Sequence, residues 1–288
     1  YQSRDDTFTI EYGTDGMTVA ITYMNATQGW VPTIDEAVTD VPIHPTYNPT
    51  GLFAYGSGPV STRNLVSSTG VVASDVSGGG TARYAAAACE YGNDKGICLG
   101  GSTGGANRLG VSNLVTNAGV VGSDVAAVGN TRMAGAACTY GGDKGIWGFG
   151  QDGGYDDTTN LISNAGVVAS DGSGVGTARY ALAACEYSAN KDKGIFLFGH
   201  SGSASNICNL VSNEGVVASD TSGVGTARYY LAACGYGFDK GIVGHGSGPV
   251  SITNLISNVG VVATDTTGVG TARASVAACE YGLDKGIF

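Results

Sequence analysis

NLISNAGVVASDGSGVGTAR fills residues 160–179, NLVSNEGVVASDTSGVGTAR residues 209–228, and NLISNVGVVATDTTGVGTAR residues 254–273. Such near-identity within one chain makes internal repetition its first property. The closing Thr-Ala-Arg, or Asn-Thr-Arg in one copy, places Arg83, Arg132, Arg179, Arg228 and Arg273 at spacings of 49, 47, 49 and 45. Cys89, Cys138, Cys185, Cys234 and Cys279 keep those spacings. Asp94, Asp143, Asp192, Asp239 and Asp284, each within Asp-Lys-Gly, follow in step apart from a shift at the longer turn of residues 188–191. Upstream, Asn64, Asn113, Asn160, Asn209 and Asn254 are each followed by Leu.

Each copy carries four short β-type segments, which in the third full copy are residues 182–187, 194–199, 209–212 and 216–219. The first two are joined by a turn ending in Asp-Lys-Gly, where Gly supplies the positive φ of a tight hairpin. No stretch has a helical period. Four strands in about 48 residues is the size of a propeller blade. The expectation is an all-β fold, a β-propeller of about five four-stranded blades over residues 51–288. A β-solenoid, the rival, usually repeats at about 20–30 residues. Residues 1–34 read as a small β segment with strands at 8–12 and 17–24, and residues 35–50 as an acidic, Pro-containing linker. Residues 56–61 repeat residues 246–251 letter for letter. The chain thus enters the repeat at its second strand and stops inside another second strand, so its terminal strands are expected to complete one blade together.

Composition narrows the function classes. Gly supplies 49 of 288 residues, yet 42% apolar and 13% charged residues describe an ordered chain. The net charge is −10, of which residues 1–50 carry −6. No basic cluster exists to neutralise phosphates, so neither nucleic acid nor an anionic membrane surface is an expected partner. No apolar run reaches the roughly 18 residues of a spanning helix, and no signal-peptide pattern is seen.

An Arg before a hydrophobic strand, a tight turn and a strand ending in glycines resembles the kelch repeat. Gly100-Gly101 supplies the double glycine once, and the kelch tryptophan is missing, Trp30 and Trp147 being the only two. The strings at 160–179, 209–228 and 254–273 resemble repeats in tail-fibre and appendage proteins of bacteriophages, especially marine ones. Residues 25–32 (NATQGWVP) are similar to short β-roll ends of phage fibres. The resemblance implies a non-enzymatic virion structural protein presenting a rigid propeller for host-surface attachment or structural display. It implies other virion subunits and a host-surface glycan as partners, with self-association through the N-terminal segment. A secreted or cell-surface carbohydrate-binding lectin is the alternative, and a propeller glycosidase a further one.

Chemical motifs are few. The repeated cysteines follow Ala-Ala on a strand and read as buried free thiols; without any Cys-x-x-Cys or Cys/His cluster, no cofactor or metal is expected. Residues 100–104 match a nucleophile elbow and 148–153 a Gly-x-Gly-x-x-Gly, but no helix follows either. His44, His200 and His245 occupy non-equivalent places, which offers no Ser/His/Asp arrangement. A glycosidase needs two inward carboxylates roughly 5–10 Å apart, whereas the repeated acids are spread evenly. Asp152, Asp156 and Asp157 form one local carboxylate cluster of the kind calcium favours, though such a loop is more often simply solvated. The repeated Arg series is expected to be scaffold. The loops after the second strand (100–112, 150–159, 199–207 and 246–253) differ most between copies, which nominates Asn107, Arg108, Gln151, Tyr155, Asp156, His200 and Asn206 as ligand-binding residues, led by Tyr155 and Asp156.

Overall fold

Along Ala183–Tyr187 the side chains of Ala183, Cys185 and Tyr187 are buried while Ala184 and Glu186 turn the other way. Only a strand has this period of two. The computed structural model describes residues 20–25, 29–34, 50–126, 129–268, 270–281 and 284–288, and every regular element among them is a β-strand. The chain divides into two compact units, Tyr1–Pro45 and Thr46–Phe288. In the first, β1 (Ala20–Asn25) pairs antiparallel with β2 (Gly29–Ile34). The expected strand at 8–12 and residues 35–49 of the expected linker lie outside the described residues.

The second unit is a series of antiparallel sheets. The first sheet comprises β3 (Gly51–Gly56), β4 (Val60–Val66) and β5 (Val76–Ser77). The second comprises β6 (Ala87–Tyr91), β7 (Lys95–Gly104) and β8 (Asn107–Val115). The third comprises β9 (Ala136–Tyr140), β10 (Lys144–Gln151) and β11 (Tyr155–Ile162). The fourth comprises β12 (Ala183–Tyr187), β13 (Lys193–His200) and β14 (Ala204–Val211). The fifth comprises β15 (Ala232–Tyr236), β16 (Lys240–Gly244) and β17 (Thr253–Ile256). A last pair joins β18 (Cys279–Tyr281) to β19 (Lys285–Ile287).

Two expectations are corrected. The sheets have three strands, because the fourth segment is held by isolated bridges such as Val211↔Val217 and Cys208↔Thr221. Between those bridges Asn209 reaches across with its side chain, donating from Nδ2 to the Ala218 carbonyl and to Asp220. A side-chain amide therefore stands where a continuous ladder would run. Nor do the terminal strands share one sheet. β19 already flanks β18, with Cys279↔Ile287, Glu280↔Gly286 and Tyr281↔Lys285 in register, so β3 only packs against β18.

Three devices join successive sheets. The first strand of each packs against that of the next, β6 on β9, β9 on β12, β12 on β15 and β15 on β18. The repeated Arg of the first four copies, Arg83, Arg132, Arg179 and Arg228, is the second device. Arg179, fully buried, donates to Asn209 Oδ1 at 2.6 Å, to the Phe198 carbonyl at 2.7 Å and to the Thr177 carbonyl at 3.1 Å. Its guanidinium lies 4.2 Å from the ring centre of Phe149 in the preceding sheet, and Arg83 and Arg228 sit likewise over Tyr55 and Phe198. Third, a backbone chain crosses the sheets: Ala134 N–H donates to Ala85, Ala181 to Ala134, Tyr230 to Ala181 and Ser275 to Tyr230. All five of these residues have positive φ, between 52° and 55°, so the inter-sheet bond fixes the backbone whatever the side chain.

The core lies between the sheets. Phe149 meets Phe196 edge-on at 5.0 Å, and Phe198, Leu231 and Val243 continue the packing into the fifth sheet. Gly100 occupies the place of Tyr55, Phe149 and Phe198, and there Trp147 fills the space, since a Cβ on Gly100 would come within 2.6 Å of its ring. Arg132 accordingly stacks on Trp147, at 3.7 Å.

Candidate functional site

On the side of the β13–β14 hairpin, five rings from three consecutive sheets come together. Tyr155 opens β11, His200 closes β13, and Tyr180, Tyr229 and Tyr230 each follow the repeated Arg. Tyr155 and Tyr180 are parallel at 5.8 Å; His200 stands edge-on to Tyr155 at 5.9 Å, to Tyr180 at 5.3 Å and to Tyr229 at 4.9 Å. Tyr230 meets Tyr229 at 5.1 Å and Tyr180, edge-on, at 6.3 Å. These edge and offset geometries are the favoured ones for aromatic pairs. Tyr155 and Tyr230 remain 43% and 41% exposed, so the cluster is a surface platform rather than core. Burial, then the neighbouring Tyr230 and Tyr155, raise the Tyr180 hydroxyl above its ordinary range, which keeps it protonated as a donor.

The bridge Tyr180↔His200 brings these two rings together. Loop variation found Tyr155 and His200, and Gln151 lies opposite Tyr155 in the β10–β11 register. It did not find Tyr180, Tyr229 and Tyr230, which precede first strands. A signal existed: Tyr230 stands where the other copies have Ala85, Ala134, Ala181 and Ser275.

The remaining nominees lie elsewhere. Asp156, expected to lead the site, is 5% exposed, accepts from the Thr158 N–H at 2.8 Å and lies 3.9 Å from Arg132, so it belongs to the scaffold. Asn206 clamps the Gly223 and Gly225 carbonyls. Asn107 and Arg108 are at the β7–β8 hairpin, where the Asn107 carbonyl accepts from Ser102 and Arg108 turns back onto the Ala106 carbonyl. Among the described residues no group of three or more His, Cys, Asp or Glu side chains is placed to hold a metal ion, Asp152, Asp156 and Asp157 included. All seven cysteines are free thiols.

A second feature was not foreseen. A cavity of about 440 Å³ is lined by the first strands of successive sheets, including Ala88, Ala137, Ala184 and Ala233, together with Glu90, Glu186, Lys191 and Glu280. Three acids outside the evenly spread aspartates, Glu90, Glu186 and Glu280, converge here, because each follows the repeated Cys and alternation points it inward. Lys191, carried by the longer turn, donates to Glu280 at 2.5 Å. Burial, then Glu186 and Glu280 against the opposing Lys191, pushes the Glu90 carboxyl up to about 7. Burial also raises Glu280, with Lys191 opposing. Burial alone would lower Lys191, but Glu186, Glu280 and Glu90 more than offset it and raise it.

No family model and no curated protein matches this chain.

Proposed function

We propose that the second unit is a β-propeller attachment module, non-enzymatic, whose aromatic platform engages a glycan on a host surface, and that it serves as a virion appendage or tail-fibre component. The observation that carries this reading is the contiguous platform of Tyr155, Tyr180, His200, Tyr229 and Tyr230 on a scaffold of repeated sheets. Rigid exposed aromatics give contact area at low entropic cost, and their hydroxyls add directional bonds. The propeller reading is supported by successive first strands surrounding one cavity and by β18 packing against β3. The virion reading rests on the resemblance of the repeats to phage fibres.

The test is adhesion of the labelled protein to candidate host cells, with and without Tyr155→Ala. We expect Tyr155→Ala to weaken adhesion about tenfold at unchanged thermal stability, the loss of one stacking contact of about 1.4 kcal/mol. Equal adhesion by both proteins would overturn the platform as the contact surface.

A glycosidase is the second reading, favoured by one observation, the convergence of Glu90, Glu186 and Glu280 on the cavity with Glu90 titrating near 7. A carboxyl with such a raised pKa can serve as a general acid. The Lys191–Glu280 ion pair within the same cluster argues for a structural role instead. Hydrolysis of aryl glycosides that Glu90→Gln abolishes would decide for the enzyme.

A further inference from the structure

Tyr230 is the exception in a fixed row. The residue at this place in each sheet takes part in the backbone chain from Ala85 to Ser275 and is held at positive φ, 55° for Tyr230. Positive φ is unfavourable for any residue with a Cβ and most so for a bulky one. The other copies answer this with Ala or Ser. Here alone the chain sets a tyrosine, and its ring does not enter the core: Tyr230 is 41% exposed and its ring packs on Tyr180 and Tyr229. A large side chain at a strained backbone position, packed only on other rings of the surface platform and not into the core, points to contact with something outside the chain.

The surroundings limit what that is. The five rings are four Tyr and one His, with no Lys or Arg in the cluster, and Gln151 opposite Tyr155 adds a neutral amide. The chain carries −10 net, and Asp152 adjoins Gln151. An anionic ligand would meet the chain's net negative charge and find no Lys or Arg among these groups. A pyranose ring offers C–H faces to pack on aromatic faces and hydroxyls to bond Tyr hydroxyls and an amide.

We propose that Tyr230 is a ligand-contacting, specificity-determining residue of the platform, and that the ligand is a neutral saccharide chain rather than an acidic one. This rests on the attachment reading above and names its ligand class and a residue on which it depends.

The experiment measures retention of the full chain on neutral polysaccharides (dextran, laminarin, galactan) and on anionic ones (alginate, heparin), at low and high NaCl, for wild type, Tyr230→Ala and Tyr230→Phe, with melting temperatures for all three. Wild type is expected to bind a neutral polysaccharide with affinity nearly independent of salt, since no ion pairs form. Tyr230→Ala, which installs the residue of three other copies, should lose about tenfold or more in affinity while its melting temperature is equal or higher. Tyr230→Phe should keep most of the binding. A clear fall in melting temperature for Tyr230→Ala with binding intact would make Tyr230 structural and overturn its assignment. Preferential, salt-sensitive binding of alginate or heparin would overturn the neutral class while leaving attachment standing. Retention on neither class, with cell adhesion intact, would overturn the saccharide ligand; loss of adhesion as well would sink the attachment reading itself.

Discussion

At the scale of single residues, the guanidinium of the four buried repeated Arg residues is the most heavily used group. Arg179 has no surface exposed and satisfies three acceptors at once. Its planar fork fits the Asn209 carbonyl and two backbone carbonyls in a way that an ammonium cannot. Removing it leaves those acceptors buried and unpaired and the Phe149 face uncovered, so Arg179→Ala should cost about 3 kcal/mol of unfolding free energy. Arg273 provides the control, because it is exposed and approached only weakly by His245, at 3.4 Å. Arg273→Ala should stay within about 0.5 kcal/mol of wild type. Urea titration of both variants checks the pair, and equal effects would refute the role given to the clamp. The repeated Arg was legible as scaffold from its spacing. Its partners were not, because Phe198 and Asn209 lie 19 and 30 positions further along the chain and meet it only when their sheet forms, and Phe149 only when the preceding sheet packs.

At the scale of elements, the contact between successive sheets depends on the pairing of Cys with Gly. The Sγ of Cys185 would lie 2.7 Å from a Cβ on Gly241, and Cys89, Cys138 and Cys234 stand likewise against Gly145, Gly194 and Gly286. The glycine of Asp-Lys-Gly is therefore needed for close approach between sheets and not, as expected, for a positive φ in the hairpin, which falls earlier in the turn on residues such as Gly92, Asn93, Gly141, Gly142, Gly237 and Phe238. Gly241→Ala should destabilise by about 2 kcal/mol through overpacking. Cys185→Ala opens that space, so the double variant should cost less than the sum of the singles by about 1 kcal/mol. Strict additivity in a thermal or urea double-mutant cycle would show that the clash is relieved in some other way. Sequence spacing located both residues but not their meeting, since they are 56 positions apart and belong to different sheets.

At the scale of the whole second unit, the cavity gathers charges that the chain keeps far apart. Glu90, Glu186 and Glu280 come from the second and fourth sheets and the last pair, and Lys191 reaches Glu280 past the fifth sheet. With Glu90 raised from 4.5 to about 7, the folded state holds a proton that the unfolded chain has released within that window. Stability therefore falls as pH rises through it, and is highest on its acid side. Because Glu90 faces the cavity, where water screens the charges, its share is on the order of 1 kcal/mol. Glu90→Gln should be more stable than wild type at pH 8 by about that amount, indistinguishable near pH 4, and flatter between, as read from urea midpoints across pH. Glu280 is raised for the same reason and keeps part of the slope. A wild-type profile that rises from pH 5 to pH 8 would contradict the cluster.

The sequence by itself determined the all-β class, the repeat and its period, the hairpin at Asp-Lys-Gly and the scaffold role of the Arg series, because these depend on alternation, turn chemistry and spacing along the chain. It also singled out Tyr155 and His200 through variation between copies. Tertiary structure alone decided that the fourth segment is bridged rather than paired, through the reach of Asn209. It also turned Asp156 inward beside Arg132, kept the terminal strands in separate sheets and drew Glu90, Glu186 and Glu280 to one cavity. The platform of Tyr180, Tyr229 and Tyr230 belongs to the same class. Which side chains meet across sheets depends on how sheets pack side by side, and a local pattern of residues carries no record of that distance.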